Sequence, residues 1–214
     1  MRMHTCAGIL LLALAAVWGC ASTELVAVPP RMDLHGYGTL GIIEFASNGG
    51  TAINARATRR FEEQVQAAQP GTRFVDLGSR EAVLAAAGAS QLDPVTLKQL
   101  GAQHGVDAIF LGEIVYSDPK TDIRINDLAK LDGGVRTEVR GDISSRLVET
   151  RTGASVWSSS AWARRQVGRL EVSSTQGVSG STSSGDPREE MVPDLVRWLT
   201  QDFRPTTVRQ KVKK

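Results

Sequence analysis

The sequence predicts an α/β sandwich: a single domain of helices packed on a mixed sheet that ends in a long antiparallel hairpin. Three observations predict it. Short apolar runs alternate with capped helical segments through residues 39–116. Val135–Thr150 alternates apolar and polar residues without a break. Thr152-Gly153 then turns the chain back into Ser155–Val167. A length of 214 residues suits one such domain with appendages, and no internal repeat is visible.

The first elements precede the domain. Arg2 is followed by the apolar run Ala7–Trp18 and then by Gly19-Cys20-Ala21-Ser22, the order of a signal peptide over residues 1–19. The run is too short to cross a bilayer, which takes roughly 20 apolar residues. Val17-Trp18-Gly19-Cys20 resembles the lipobox of bacterial lipoproteins, although Trp18 replaces the small residue usual at its position. That resemblance implies that Cys20 is the lipid attachment point and the new N-terminus. With Ala21 rather than Asp after the cysteine, it also implies an outer-membrane, periplasm-facing location. Cys6 falls in the removed segment, so no thiol remains for a disulfide, a metal or a nucleophile. Residues 20–38 read as the lipidated cysteine and its tether, with Pro29-Pro30 favouring an extended path.

The domain proper is expected over residues 39–203. Thr39–Phe45 is a short apolar strand closed by Ser47-Asn48-Gly49-Gly50. Thr51 is a candidate N-cap for a helix carrying Ile53, Ala57, Phe61, Val65 and Ala68 at helical spacing. Pro70-Gly71 ends it, and Arg73–Leu77 is a second strand. Ser79 caps a short helix, Arg80–Ala87, stopped by Gly88. Asp93-Pro94 places a capping carboxylate before proline at the first helical position, and Gly105 ends that helix after His104. Val106–Tyr116 is apolar almost throughout, which predicts a central strand covered on both faces.

Ser117–Gly134 reads as a polar connection. In the hairpin, Val135, Thr137, Val139, Gly141, Ile143, Ser145 and Leu147 share one face, and Arg136, Glu138, Arg140, Asp142, Ser144 and Arg146 share the other. Trp157 and Trp162 are an odd number apart and fall on opposite faces, so one suits a core and the other an interface. Ser173–Gly185 reads as a Ser/Gly-rich loop. Asp186-Pro187 opens a last helix with Met191, Leu195, Trp198 and Leu199 on its apolar side. Pro193 is expected to kink that helix or to mark its true first turn. Residues 204–214 form a basic tail, expected to be disordered, whose cations suit anionic headgroups or acidic glycan.

Chemistry is the weaker signal. Without residues 1–19 the chain has 24 basic against 23 acidic residues, which argues against nucleic acid as a partner. His35 and His104 are the only histidines left, in the tether and at a helix end. No HExxH pattern, P-loop or GxSxG elbow is present. Asp118, Asp122, Asp127 and Asp132 lack the spacing of a calcium loop. The Ser47–Gly50 turn lacks the lysine of a phosphate loop. No catalytic, cofactor-binding or metal-ligating residue is therefore assigned, and no cofactor is expected.

Three stretches carry a family resemblance: Tyr37–Phe45, Gly105–Glu113, and Ser145–Trp157 with its Thr-Gly turn. They resemble the curli-secretion-channel-like and penicillin-binding-protein-activator-like lipoproteins. The resemblance implies a non-enzymatic lipoprotein that works through an envelope protein partner, with a homo-oligomer as a second option. A curli-type pore inserts hairpins into the membrane, and a spanning strand needs roughly 9–11 residues with an apolar outer face. The short, polar insertions Ser117–Gly134 and Ser173–Gly185 point away from a pore. A tether of eighteen residues reaches at most about 60 Å, which points away from an activator that must cross peptidoglycan. What is common to both families remains: an outer-membrane-anchored accessory protein.

Overall fold

Among the described residues, three of the four α-helices begin on the residues that the sequence marks for them. In this computed structural model, which describes residues 23–127, 132–173, 177–182 and 185–211, helix α1 is Thr51–Ala68, α2 Arg80–Ala87, α3 Pro94–His104 and α4 Pro187–Leu199. Ser79, Asp93 and Asp186 each accept a hydrogen bond from a first-turn amide, those of Ala82, Thr96 and Arg188. Gly88 and Gly105 close α2 and α3 in the left-handed conformation. The exception is α1. Thr51 is its first helical residue, and Gly50, at φ 99°, holds the cap position without a side-chain bond. Pro193 lies inside α4, which starts at Pro187.

Strands β2 (Leu40–Ile42), β4 (Phe74–Asp76) and β5 (Ala108–Tyr116) form the parallel part of the sheet. The expected Thr39–Phe45 strand divides, and β3 (Ala46–Ser47) rejoins β5 farther along. Strands β7 (Asp132–Glu149) and β8 (Ser155–Ser173) are the long hairpin, antiparallel to β5 and to each other. Gly153, at φ 74°, makes the turn between them.

One face of this sheet carries α1 and α4. Between them lie Phe45, Phe61, Phe110 and Phe203 with Trp157, in edge and tilted contacts at ring separations from 4.7 to 6.2 Å. Val139, Ile143 and Leu147 are buried on this face, as the alternation requires. The other face receives α2 and α3 only over the first residues of β5, where Ile109 and Val148 meet Val83, Leu97 and Leu100. Strand β5 is consequently covered on both faces at Ala108–Phe110 and no farther, since Glu113 and Val115 are exposed.

Four other expectations are corrected. Residues 31–38 are not tether: Leu34 is buried and Met32 packs on the core. The buried Gln69 holds them, accepting from Leu34 N at 2.7 Å and donating to Met32 O at 2.6 Å and to Phe203 O at 3.1 Å. Within Ser117–Gly134, Lys120–Asp127 is a strand, β6, paired with β7. Within Ser173–Gly185, Gly177–Thr182 is a strand, β9, paired with β8. In the first, Ile123 and Ile125 alternate with Asp122 and Arg124, and pairing satisfies the backbone groups of both segments. The tail also differs: Thr206–Lys211 is a strand, β10, antiparallel to β1 (Thr23–Val28) in a two-stranded ribbon. The signal peptide and Cys20 lie outside the described residues.

Candidate interaction surface

Among the described residues, no helix lies over two parts of the sheet, and both grow out of the long hairpin. The first is the face of β5, β7 and β8 beyond α2 and α3. Its cross-strand rows are Leu111–Arg146–Ser158, Glu113–Ser144–Ser160 and Val115–Asp142–Trp162, with Arg140 opposite Arg164 beyond them. A groove of about 530 Å³ runs over the first two rows, walled by Arg80 and Leu92. A cleft of about 300 Å³ adjoins it at Val115, Arg140 and Trp162.

The floor is polar and unoccupied by internal bonds. The side-chain hydroxyls of Ser144, Ser158 and Ser160 make no hydrogen bond among the described residues, and Arg80, Arg146, Arg164 and Glu113 make no ion pair there. Arg140 differs. Its guanidinium grips Asp142 at 2.5 to 3.1 Å, and that hydrogen bond pushes its pKa upward. Arg140 and Arg164 lie over the Trp162 ring, 5.1 and 5.2 Å from its centre. The two tryptophans divide as their odd spacing requires. Trp157 is 8% exposed and donates from Nε1 to Asp202 at 3.2 Å, whereas Trp162 is 55% exposed.

The second uncovered part is a four-stranded arm in which β6, the first half of β7, the last third of β8, and β9 continue the sheet past the helices. The register aligns Ile123–Val135–Leu170–Gly180 and Thr121–Thr137–Gly168–Thr182 on one face. Asp122–Arg136–Arg169–Ser181 and Arg124–Gly134–Glu171–Ser179 lie on the other. The charged face pairs internally, Arg124 with Asp122, Arg136 with Glu138, and Arg169 with Glu171. The apolar face is the continuation of the one that α1 and α4 bury, yet Ile123, Ile125 and Val178 are 68%, 66% and 69% exposed. A bulge between Thr137 and Glu138 keeps both faces in phase by absorbing Val167.

The other residues weighed in the sequence do not converge on chemistry. Asn48 is a structural clamp: its amide donates to Tyr116 O and accepts from Tyr116 N, both at 2.8 Å, in the manner of a strand residue. Tyr116 is buried, its hydroxyl donates to Arg188 O at 3.2 Å, and burial pushes its pKa up to about 12. His104 ends α3, while His35 Nδ1 lies 2.6 Å from Asp33 in an exposed turn. The backbone amide of His35 lowers the Asp33 pKa. Asp122 and Asp127 fall on β6, and Asp132 opens β7. Among the described residues, no group of three or more His, Cys, Asp or Glu side chains is placed to hold a metal, and no helix is long and apolar enough to cross a membrane. Sequence reasoning missed the arm. Its signal was the alternation Thr121-Asp122-Ile123-Arg124-Ile125.

No family model and no curated protein matches this chain. Solved structures do. The chain is similar to the PelC dodecamer from Paraburkholderia phytofirmans at 9% identity and a TM-score of 0.41, over 86% of this chain and 98% of that one. It is similar to the LpoB C-terminal domain from Escherichia coli at 13% identity and a TM-score of 0.37, over 62% and 87%. It is similar to a minor lipoprotein from Acinetobacter baumannii at 12% identity and a TM-score of 0.30, over 81% and 99%. At such identities no role is read from the likeness.

Proposed function

We propose that this chain is a lipid-anchored accessory protein of the bacterial envelope, held to the outer membrane through Cys20 and facing the periplasm, that acts by protein contacts and not as an enzyme. The observation that carries the protein-contact reading is the uncovered apolar face of the arm. Exposed apolar side chains gathered on one sheet face, with charged pairs on its back, mark an interaction surface. The groove and Trp162 add a second contact region of the kind that anchors interfaces, a large aromatic beside arginines. Cys20 carries the anchoring half of the reading, since the lipobox-like run is the sequence's means of staying on a membrane.

The arm also favours a second reading, an oligomeric secretion-pore subunit, because its strands alternate apolar and charged as lipid-facing strands do. Length weighs against it. Strand β6 has 8 residues and β9 has 6, below the roughly 9–11 that a spanning strand requires.

Photo-crosslinking from positions 123 and 170 in intact cells, with particle size in detergent, separates the readings. A monomer that crosslinks to a different envelope protein supports the accessory role. A ring whose crosslinks join copies or lipid supports the pore, and absence of any crosslink from either position overturns both.

A further inference from the structure

Strand β8 has one paired edge and one largely open edge. Strand β7 pairs along the first, while β9 takes up the second only from Gly168 on. Glu149 N–H donates to Ala154 O and Gly153 N–H to Glu149 O, which points the odd residues of β7 toward β8. Backbone direction alternates along an antiparallel pair, so Gly141, Ile143 and Ser145 exchange bonds with Ala163, Ala161 and Ser159. Ser158, Ser160, Trp162 and Arg164 then aim their N–H and C=O groups away from the sheet. None of these backbone groups has a partner among the described residues. They span about 20 Å, the length of an ordinary strand.

Sheet edges in native proteins are blunted by charge, proline, bulges or brevity. Strand β4 has 3 residues, β6 carries Lys120, Asp122 and Arg124, and β9 is interrupted by Gly180. From Ser158 to Ala163, β8 has no charge, no proline and no bulge. We propose that this edge receives an extended segment of the partner protein as an added strand, with a carboxylate on that segment meeting Arg164. The proposal rests on the protein-contact reading and gives the partner its chemistry. In such additions main-chain hydrogen bonds supply affinity and alternate side chains supply specificity. On the open face those side chains would lie beside Ser158, Ser160, Trp162 and Arg164. Trp162 is 55% exposed and favours a β-branched or aromatic neighbour. Arg164 stacks on that ring and makes no ion pair among the described residues, so charge complementarity selects an acidic neighbour for it. A second copy of this chain is the poorer occupant. Residues 155–168 contain no carboxylate, so pairing of this edge with itself leaves Arg164 unmet in every register.

The test presents the full chain with fluorescent octapeptides of alternating threonine and valine, and reads binding by anisotropy. One peptide carries a central glutamate, a second has lysine in its place, and a third has proline beside the glutamate. The glutamate peptide is expected to bind and to slow amide exchange at Ser160 and Trp162. The lysine peptide should bind about fivefold more weakly, and the proline peptide should not bind. Ser158→Pro and Ser160→Pro each remove an outward N–H that β7 does not use. Each should weaken the glutamate peptide at least about tenfold with the circular dichroism unchanged. Arg164→Glu leaves the edge intact and should reverse the preference toward the lysine peptide. No binding, equal binding of the proline peptide, or an unchanged preference in Arg164→Glu would overturn the added strand. So would a stable dimer that Ser160→Pro dissolves, since the edge would then belong to a second copy. Crosslinks from positions 123 and 170 report the arm separately. Their persistence without peptide binding sinks this inference and leaves the protein-contact reading standing.

Discussion

Strand β7 meets two different fates on one face. From Val139 to Leu147 its inward side chains lie under α1 and α4, and Val139, Ile143 and Leu147 are buried. From Gly133 to Thr137 the same face carries Val135 beside Ile123 and Leu170, with no helix above it among the described residues. The periodicity is identical in both halves. Alternation therefore reports which residues share a face, and says nothing about whether anything covers it.

The sharpest way to break this comparison is to put the same charge on both halves. Ile143→Asp strands a carboxylate in the buried core, opposite Ile114, and should cost several kcal/mol, enough to unfold a domain of ordinary stability. Ile123→Asp places the same carboxylate on the exposed arm and should leave the melting temperature close to wild type while abolishing crosslinks from position 170. Equal losses of stability in thermal melts would show that the arm's apolar face is covered after all.

A second substitution probes how tightly the covered half is packed. A Cβ on Gly112 would stand 2.5 Å from the Phe45 ring, which is buried and hemmed by Phe61. Gly112→Ala should cost about 1–3 kcal/mol by overpacking, read from urea unfolding. A neutral result would mean that the ring can step aside.

The pH dependence of Tyr116 tests the same boundary. Its folded pKa, about 12, stands above the usual value near 10. The stability this proton contributes is fully present below pH 10 and is lost as pH rises through about 12. Absorbance titration should show Tyr116 resisting ionisation until the domain opens, and Tyr116→Phe should flatten the alkaline loss of stability. Ionisation near pH 10 in the folded protein would place Tyr116 in solvent.

The smallest effect belongs to the open face. Asp142 is half-exposed and pairs with the exposed Arg140, and surface pairs of this kind contribute little. Asp142→Ser should shift the melting temperature by no more than about a degree or two. A larger drop would show that the Arg140–Asp142 pair holds the Trp162 cleft together.

The sequence by itself determined what local physics controls. Capping side chains at Ser79, Asp93 and Asp186, glycines at 88, 105 and 153, and the period-two pattern of 135–150 act within a few residues, so they were legible before any fold was known. The opposite placement of Trp157 and Trp162 was legible for the same reason. The candidate surface was legible only in part: Trp162 stood out, but Arg80, Glu113 and Ser144 come together only when β5, β7 and α2 pack.

Tertiary structure alone decided the rest. Lys120–Asp127 and Gly177–Thr182 become strands because the long hairpin offers them unpaired edges, and their polar alternate residues had masked the pattern. Residues 31–38 join the domain because Gln69, distant in sequence, satisfies their backbone. Thr206–Lys211 finds β1 from the far end of the chain. Each of these depends on a partner supplied from elsewhere, and no window of sequence contains both halves of such a pair.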